Sequence, residues 1–454
     1  RVADGLYFAG DIAGPAGEAA ANLARSRGAS VAIVDRDLFG GSCPHFGCIP
    51  SKSLLHGASV HALGGDYPWR RASERRDYMI NRVGLPYPDD SSHEQRLRDA
   101  GADTYRGTGR LDGPGRVVVS HDSEAHELDA AIVIVAVGSM TKLPPIEGID
   151  RVRVWTNRDA TTARELPKSL LVLGGGPTGV ELAEVYARFG VPVTVVQSGP
   201  RLIPTDHPRN SDAALTALRR DGVDVRLGVR AVRAHPADDP GRADVIDLND
   251  RTTAEGHAVL LAVGRSFPTD GLGLDTVGIA AHALPRDGRL RVADGLYFAG
   301  DIAGPELHTH QGHYQGELAV RMALGDDVAP DYRALPRATY LDPELASVGM
   351  TLDEATAAGL DAFEAVAEFA TSAKGYSVEA EFGHVTIVVD RASRQLVGAA
   401  MAVPDASAAI HECVLAIKAR VPVSVLADTI HAFPSTSRIL NGLFAEAAAK
   451  LGRA

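Results

Sequence analysis

Cys43 and Cys48 stand five residues apart in the run Gly40-Gly41-Ser42-Cys43-Pro44-His45-Phe46-Gly47-Cys48-Ile49-Pro50-Ser51-Lys52, and the chain has only one other cysteine. A thiol pair takes up two electrons when an S–S bond opens and returns them when it closes. The run reads as the start of a helix continuing through Ser53-Leu54-Leu55. On a regular helix, residues i and i+5 have Cα atoms roughly 8 to 9 Å apart, whereas a disulfide needs less than about 7 Å. Pro44 and Gly47 are the residue types that let a first turn distort enough to close such a bond. Cys48 falls near the helix N-terminus, where the dipole favours a reactive thiolate. Pro50 and Ser51 suit the same first turn. We therefore expect a redox pair. Cys413, within the apolar helical run His411-Glu412-Cys413-Val414-Leu415, is expected in the core.

A chain of 454 residues predicts about three domains. With 45% hydrophobic and 23% charged residues the composition is that of a globular protein. A net charge of −12 argues against nucleic acid or an anionic membrane surface as partner. No apolar run reaches the roughly 18 residues of a spanning helix, and no signal peptide is read at Arg1. So few cysteines do not make a disulfide-stapled scaffold, so the pair is expected to work in a reducing, cytoplasmic compartment.

The elements that position the pair begin with an anomaly. Residues 1–15 recur unchanged at 291–305, with nothing similar between, which no repeat architecture produces. We read the first copy as a transposed segment. Joined to Ala16 it gives Ile12-Ala13-Gly14-Pro15-Ala16-Gly17, a dinucleotide fingerprint that keeps Gly14 and Gly17 but has Ile12 at the first glycine. Leu6-Tyr7-Phe8-Ala9 is expected to serve as the strand before it, 18–26 as the helix, and 30–34 as the next strand, ending at Asp35. Strand, Gly-rich turn, helix, strand and acid form the βαβ dinucleotide unit, with pyrophosphate at the helix N-terminus and the acid on the ribose. Ile12 and the nearby Asp11 should both weaken such a site. Restoring glycine at position 12 is expected to raise dinucleotide occupancy, read from the ratio of cofactor to protein absorbance. Equal occupancy in both forms would refute this.

A second unit is complete. Ser169-Leu170-Leu171-Val172-Leu173 leads into Gly174-Gly175-Gly176-Pro177-Thr178-Gly179, then a helix over 180–186 and a strand over 191–196. At its end Gln197 replaces the acid that would bind the ribose of NAD, and Gln197-Ser198 with Arg201 decides neither NAD nor NADP. The runs 131–139 and 258–265 read as buried strands entering turns, and 296–301 as a strand ending on a carboxylate. The charge run 70–76 is expected to be a solvated helix face. His308, His310 and His313 lack an obvious fourth ligand, so no resident metal is expected. From 334 onward, strands at 346–350, 384–390 and 396–400 alternate with helices at 353–358, 406–419 and 439–451, an α+β pattern.

Together, Gly-Gly-Ser-Cys43 through Cys48-Ile-Pro-Ser-Lys52, the second fingerprint, Ala-Val-Gly-Arg265 and Ala-Gly-Asp301 resemble the pyridine nucleotide-disulfide oxidoreductases, the class of dihydrolipoyl dehydrogenase, glutathione reductase and mercuric reductase. The resemblance implies an α/β protein with two Rossmann-like domains, for FAD and NAD(P), and a C-terminal α+β domain that forms a homodimer. It implies an FAD domain from 1–150 and 265–333, an NAD(P) domain at 151–264 and a dimerisation domain at 334–454. It also implies that Cys48 faces the flavin, that Cys43 meets the substrate, and that Lys52 and Glu181 form an ion pair beside the flavin. FAD would be held by Gly14, Gly17, Asp35, Gly41, Ser42, Lys52, Gly109, Ser139, Asp301, Leu307, His308, Thr309 and His310. NAD(P)H would be held by Gly174, Gly176, Gly179, Gln197 and Gly264.

One departure bears on the substrate, a small-molecule electron acceptor. Where the family supplies a His-Pro and a glutamate five residues later, this chain has Phe433-Pro434 and Arg438. Phenylalanine moves no proton, and such acid–base help is typically worth about 100- to 10,000-fold. The chain also lacks the C-terminal cysteine pair of mercuric reductases. The expectation is therefore electron flow from NAD(P)H through FAD and the Cys43–Cys48 disulfide to an acceptor such as a metal ion, a quinone, a small disulfide or oxygen. The rivals are a flavin transhydrogenase or diaphorase with regulatory thiols, and a flavin-poor scaffold.

Overall fold

The computed structural model describes residues 5–10, 14–84, 86–239 and 241–452, and the readings placed on Asp11 and Ile12 lie outside them. Three sheets organise the α/β chain. The first has six strands in the order Arg291–Ala293, Leu296–Phe298, Ile132–Val135, Gly5–Gly10, Ser30–Asp35 and Asp103–Arg106, parallel except for the antiparallel pair at the 291–298 edge. The repeated segment thus enters this sheet twice, on both sides of Ile132–Val135. The two copies differ in register by one residue, with Tyr7 opposite Val133 and Tyr297 opposite Ile134.

The second sheet is wholly parallel, in the order Asp224–Leu227, Val193–Gln197, Leu170–Leu173, Ala258–Leu261 and Val154–Trp155. Leu170–Leu173 and Ala258–Leu261 are buried at every position, as continuous apolar runs are when helices cover both faces. The third is a five-stranded antiparallel sheet, Pro336–Thr339, Leu345–Gly349, Gln395–Ala402, His384–Asp390 and Ala362–Glu368. Cys413 is fully buried beneath it, as expected. The expected helix over 406–419 is two, Ala406–Ala409 and His411–Lys418. No described helix is long and apolar enough to cross a membrane.

One expectation needs correction. In the helix Trp69–Met79, Arg70, Arg71, Glu74 and Arg75 face solvent, but Arg76 is fully buried. Its Nη1 donates to the carbonyls of Thr161 at 2.8 Å and Ala163 at 2.9 Å, and its Nε donates to Asp77 at 2.9 Å. The two carbonyls close the short helix Asn157–Thr162, where orphan acceptors and the dipole both favour a cation. A charge run cannot reveal this, because the partner lies 85 residues away.

Candidate active site around Cys43 and Cys48

The redox run folds as two helices, Ser42–Phe46 and Cys48–Ala62, broken at Gly47 with φ −116° and ψ −110°. A Cβ at Gly47 would lie 3.0 Å from the Ser42 carbonyl oxygen and 3.3 Å from Cys43 Cα, so the break brings the second helix back against the first cysteine. The longer helix buries Leu54, Leu55 and Ala58 in one cluster with Val180, Leu182 and Ala183. That packing sets it against the helix Pro177–Arg188 of the second sheet and brings Lys52 to Glu181.

Lys52 Nζ lies 2.7 Å from Glu181 Oε2, and the Glu181 side chain is only 7% exposed. The other carboxylate oxygen accepts the Tyr340 backbone N–H at 2.9 Å, and the Lys52 ammonium sits 4.5 Å from the centroid of the Tyr340 ring. Removing either member of such a pair strands a desolvated charge. The Thr309 hydroxyl lies 3.2 Å from Cys48 Sγ. Both cysteines stand as free thiols. The Cys48 thiol is pulled down to about 6, chiefly because the Cys43 thiol donates to it. Against the cost of burial, Thr309 and Lys52 add to the pull. Cys43 is pushed up by the same shared proton and by burial. The shared proton is thus biased toward Cys43 and the negative charge toward Cys48.

The described part of the first dinucleotide turn is linked to this pair through the helix Thr309–Ala323, whose Thr309 reaches Cys48. Gly14 precedes the helix Pro15–Ser26, with Gly17 buried in its first turn, and Asp35 is fully buried at the end of its strand. The helix Thr309–Ala323 lies flush on that turn, since a Cβ at Gly316 would stand 2.1 Å from the Ala16 carbonyl oxygen. Gly41 has φ +71° and caps the helix that begins at Ser42. Gly109 lies in the strand Thr108–Leu111, paired with Val119. The Ser139 hydroxyl donates to Asp301 and accepts from Arg265 Nε, while Arg265 Nη2 donates to the Ser139 carbonyl at 2.5 Å. Leu307 is partly exposed, His308 Nε2 lies 2.9 Å from Glu306, and His310 Nε2 lies 2.8 Å from the Pro336 carbonyl. Among the described residues, no group of three or more His, Cys, Asp or Glu side chains is placed to hold a metal ion.

In the second turn, Gly174 has φ +107°, and a Cβ there would meet the Ala262 carbonyl oxygen at 2.3 Å. A Cβ at Gly179 would lie 2.1 Å from the Gly174 carbonyl oxygen, whereas Gly176 and Gly264 face open space. Gln197 is buried and its Oε1 accepts the Gly175 N–H at 2.9 Å.

Sequence reasoning missed Tyr340, which no local motif marks, and gave Arg265 no role. It also missed the helix Asn157–Thr162, although the Thr156/Asp159 capping box signals its start. Near the C-terminus, Phe433 is 73% exposed. Both ring nitrogens of His431 are engaged, Nε2 with Glu412 at 2.6 Å and Nδ1 with the Thr429 carbonyl at 2.8 Å.

The fold and this site are those of a flavoprotein disulfide oxidoreductase. Residues 13–317 match the pyridine nucleotide-disulphide oxidoreductase family and residues 335–443 match its dimerisation domain, so the chain belongs to that family. The dihydrolipoyl dehydrogenase of Chlorobaculum tepidum is 31% identical, with 99% of each chain covered. That of Halobacterium salinarum is 32% identical, covering 94% of this chain and 92% of its own. Among solved structures, the Cu(II) complex of the HOCl-induced flavoprotein disulfide reductase RclA from Escherichia coli is similar at TM-score 0.87 and 26% identity, covering 98% of this chain and 99% of its own. LpdA from Mycobacterium tuberculosis is similar at TM-score 0.86 and 27% identity, covering 99% and 100%. The chain is an NAD(P)H-dependent disulfide oxidoreductase that uses FAD. The dimerisation domain supports a homodimer.

Proposed function

We propose that Cys43 and Cys48 carry electrons from NAD(P)H to an acceptor that needs no histidine–glutamate relay, a metal ion such as Cu(II) or a quinone before dihydrolipoamide. The observation that carries the dithiol route is the break at Gly47, which turns the helix of Cys48 back against Cys43, with the Lys52–Glu181 pair one turn further on. One hydride equivalent opens an S–S bond to one thiolate and one thiol, with no other proton required. The low Cys48 and high Cys43 match that outcome. When two electrons leave, to two Cu(II) ions that become Cu(I) or to one quinone that also takes the thiol proton and a second proton from solvent, the S–S bond re-forms. The whole-chain likeness to a reductase solved as a Cu(II) complex supports the choice of acceptor, as does Phe433 in place of an acid–base residue.

The donor set fits a flavin dinucleotide. The first N–H groups of the helix Pro15–Ser26 suit a pyrophosphate, and the carboxylates of Asp35, at the end of its strand, and Asp301, in the 3-10 turn Gly300–Ile302 that follows the strand Leu296–Phe298, suit ribose and ribityl hydroxyls. FAD bound there supplies the two-electron link between nicotinamide and disulfide. Gly41, Ser42, Gly109, Ser139 and residues 307–310 would complete the binding surface, and Lys52, held by Glu181, would place a cation beside the flavin. We propose the domain limits 1–150 with 265–333, 151–264 and 334–454, which the three sheets support.

Gly174, Gly176, Gly179 and Gly264 would line the nicotinamide cofactor. With Gln197 Oε1 taken by Gly175, only its amide nitrogen remains, beside Gly199. A neutral donor tolerates a 2′-phosphate that a carboxylate would repel. NADPH is expected to bind at least as tightly as NADH, and Gln197→Glu to weaken NADPH by about tenfold or more, measured with 2′,5′-ADP and ADP by calorimetry. Unchanged NADPH affinity in the variant would remove Gln197 from this role.

The function itself is tested by anaerobic titration of the oxidised enzyme with NADPH and with NADH, each followed by alkylation. The first equivalent is expected to open the disulfide, exposing Cys43 and Cys48 to alkylation while the flavin returns to its oxidised colour, and only a second equivalent should bleach the flavin. Bleaching without new thiols would replace it with a transhydrogenase or diaphorase.

A further inference from the structure

The carbonyl of Phe46 poses a satisfaction problem that the sequence of the redox run cannot solve by itself. Phe46 closes the short helix Ser42–Phe46, whose last carbonyls have no partner within that helix. Four residues on stands Pro50, which has no N–H to offer. Phe46 is nevertheless only 4% exposed, and a buried carbonyl left unpaired gives up its hydrogen bonds to water with nothing in return.

The partners come from the helix Asn157–Thr162, more than 100 residues away and next to the second sheet. Asn157 Nδ2 donates to the Phe46 carbonyl at 3.1 Å, and the amide is oriented by its Oδ1, which accepts from Thr141 Oγ1 at 3.3 Å. Thr161 Oγ1 lies 3.1 Å from the same carbonyl, 2.8 Å from the Asn157 carbonyl and 3.4 Å from that of Arg158, so its single proton is shared among three acceptors. Arg158, between them, stacks its guanidinium 4.3 Å from the Phe46 ring centroid and pairs with Asp37 at 2.6 Å. One short helix thus grips the backbone and the side chain of the residue two before Cys48.

We propose that Asn157 and Thr161 are positioning residues for the redox pair: by holding the Phe46 carbonyl they fix the turn at Gly47 that keeps Cys43 within reach of Cys48. The inference rests on the dithiol reading above. Without the clamp the turn opens, Cys43 donates less often to Cys48, and S–S closure loses proximity.

The test uses the oxidised and reduced holoenzyme of Asn157→Leu and Thr161→Val. Cys48 alkylation by iodoacetamide is followed against pH, and the dithiol–disulfide equilibrium is set against glutathione. For Asn157→Leu we expect the alkylation midpoint to rise by about one pH unit. We also expect the equilibrium to move about tenfold toward dithiol, which is about 30 mV for a two-electron couple. Thr161→Val should move both in the same direction by less, and Thr161→Ser, which keeps the hydroxyl, should restore the parent values. Should Asn157→Leu not fold, the Thr161 pair decides alone. Parent values of both quantities in a folded Asn157→Leu, or in Thr161→Val where that pair decides, would overturn the proposal. Neither measurement needs NAD(P)H or an acceptor, so a failure of the electron-transfer reading would be told apart from a failure of this one.

Discussion

Cys43→Ser is expected to lose roughly a thousandfold or more in turnover with the physiological acceptor, while Cys48 keeps its reactivity. Serine cannot form the S–S bond, so the electron pair has no route outward from Cys48. Its hydroxyl can still donate to the Cys48 sulfur, which is the largest cause of the low Cys48 value. Alkylation of Cys48 in this variant should therefore keep its midpoint below the ordinary thiol range, close to that of the parent enzyme. Cys43→Ala removes the donor too, so its midpoint should move upward, leaving only Thr309 and Lys52 to favour the thiolate against burial. The two variants separate loss of the disulfide from loss of the thiolate, because both abolish the bond and only one disturbs the charge. Full turnover in Cys43→Ser would end the disulfide mechanism and leave a flavin-only enzyme. An unmoved midpoint in Cys43→Ala would show that the Cys43 proton does not set the Cys48 thiolate.

The parts legible in the sequence are those encoded within a few residues. The strand–turn–helix of 170–188 needs glycines at three fixed positions, two of them because backbone oxygens approach within 2.3 Å of where a Cβ would stand. The Cys43–Cys48 run declares itself through the same local logic, with Gly47 breaking one helix into two. The contacts that tune the site are long-range and carry no local signature. Tyr340 reaches Glu181 across 159 residues, Asn157 reaches Phe46 across 111, and Arg76 looks like surface charge until the carbonyls of Thr161 and Ala163 are placed over it. Gln197 illustrates the intermediate case. Its position was readable, but the cofactor it favours depends on which end of the amide is already spent on Gly175.

The double variant Phe433→His with Arg438→Glu is expected to gain about 100-fold or more in kcat/KM with dihydrolipoamide, the order of magnitude of general acid–base help. His431 does not already fill this role, since the Glu412 carboxylate and the Thr429 carbonyl occupy both of its ring nitrogens. Phe433 stands exposed in the single subunit on the segment before the helix Thr436–Lys450, so an imidazole there meets no packing obstacle from its own chain. Position 438 is favourable for a carboxylate on independent grounds. Ser435 caps that helix, and its hydroxyl accepts the backbone N–H of Arg438 at 3.1 Å. A glutamate side chain at that position would complete a capping box and place a negative charge in the first turn, where the arginine now opposes the dipole. Arg438→Glu alone should therefore stabilise the protein by about 0.5 to 1 kcal/mol with no gain in rate, read as a higher Tm. Phe433→His alone should gain less than the pair, because its imidazole lacks an orienting carboxylate. A double variant that is folded and more stable, yet no faster with dihydrolipoamide, would show that acceptor choice lies in the surroundings of Cys43 and not in the missing relay.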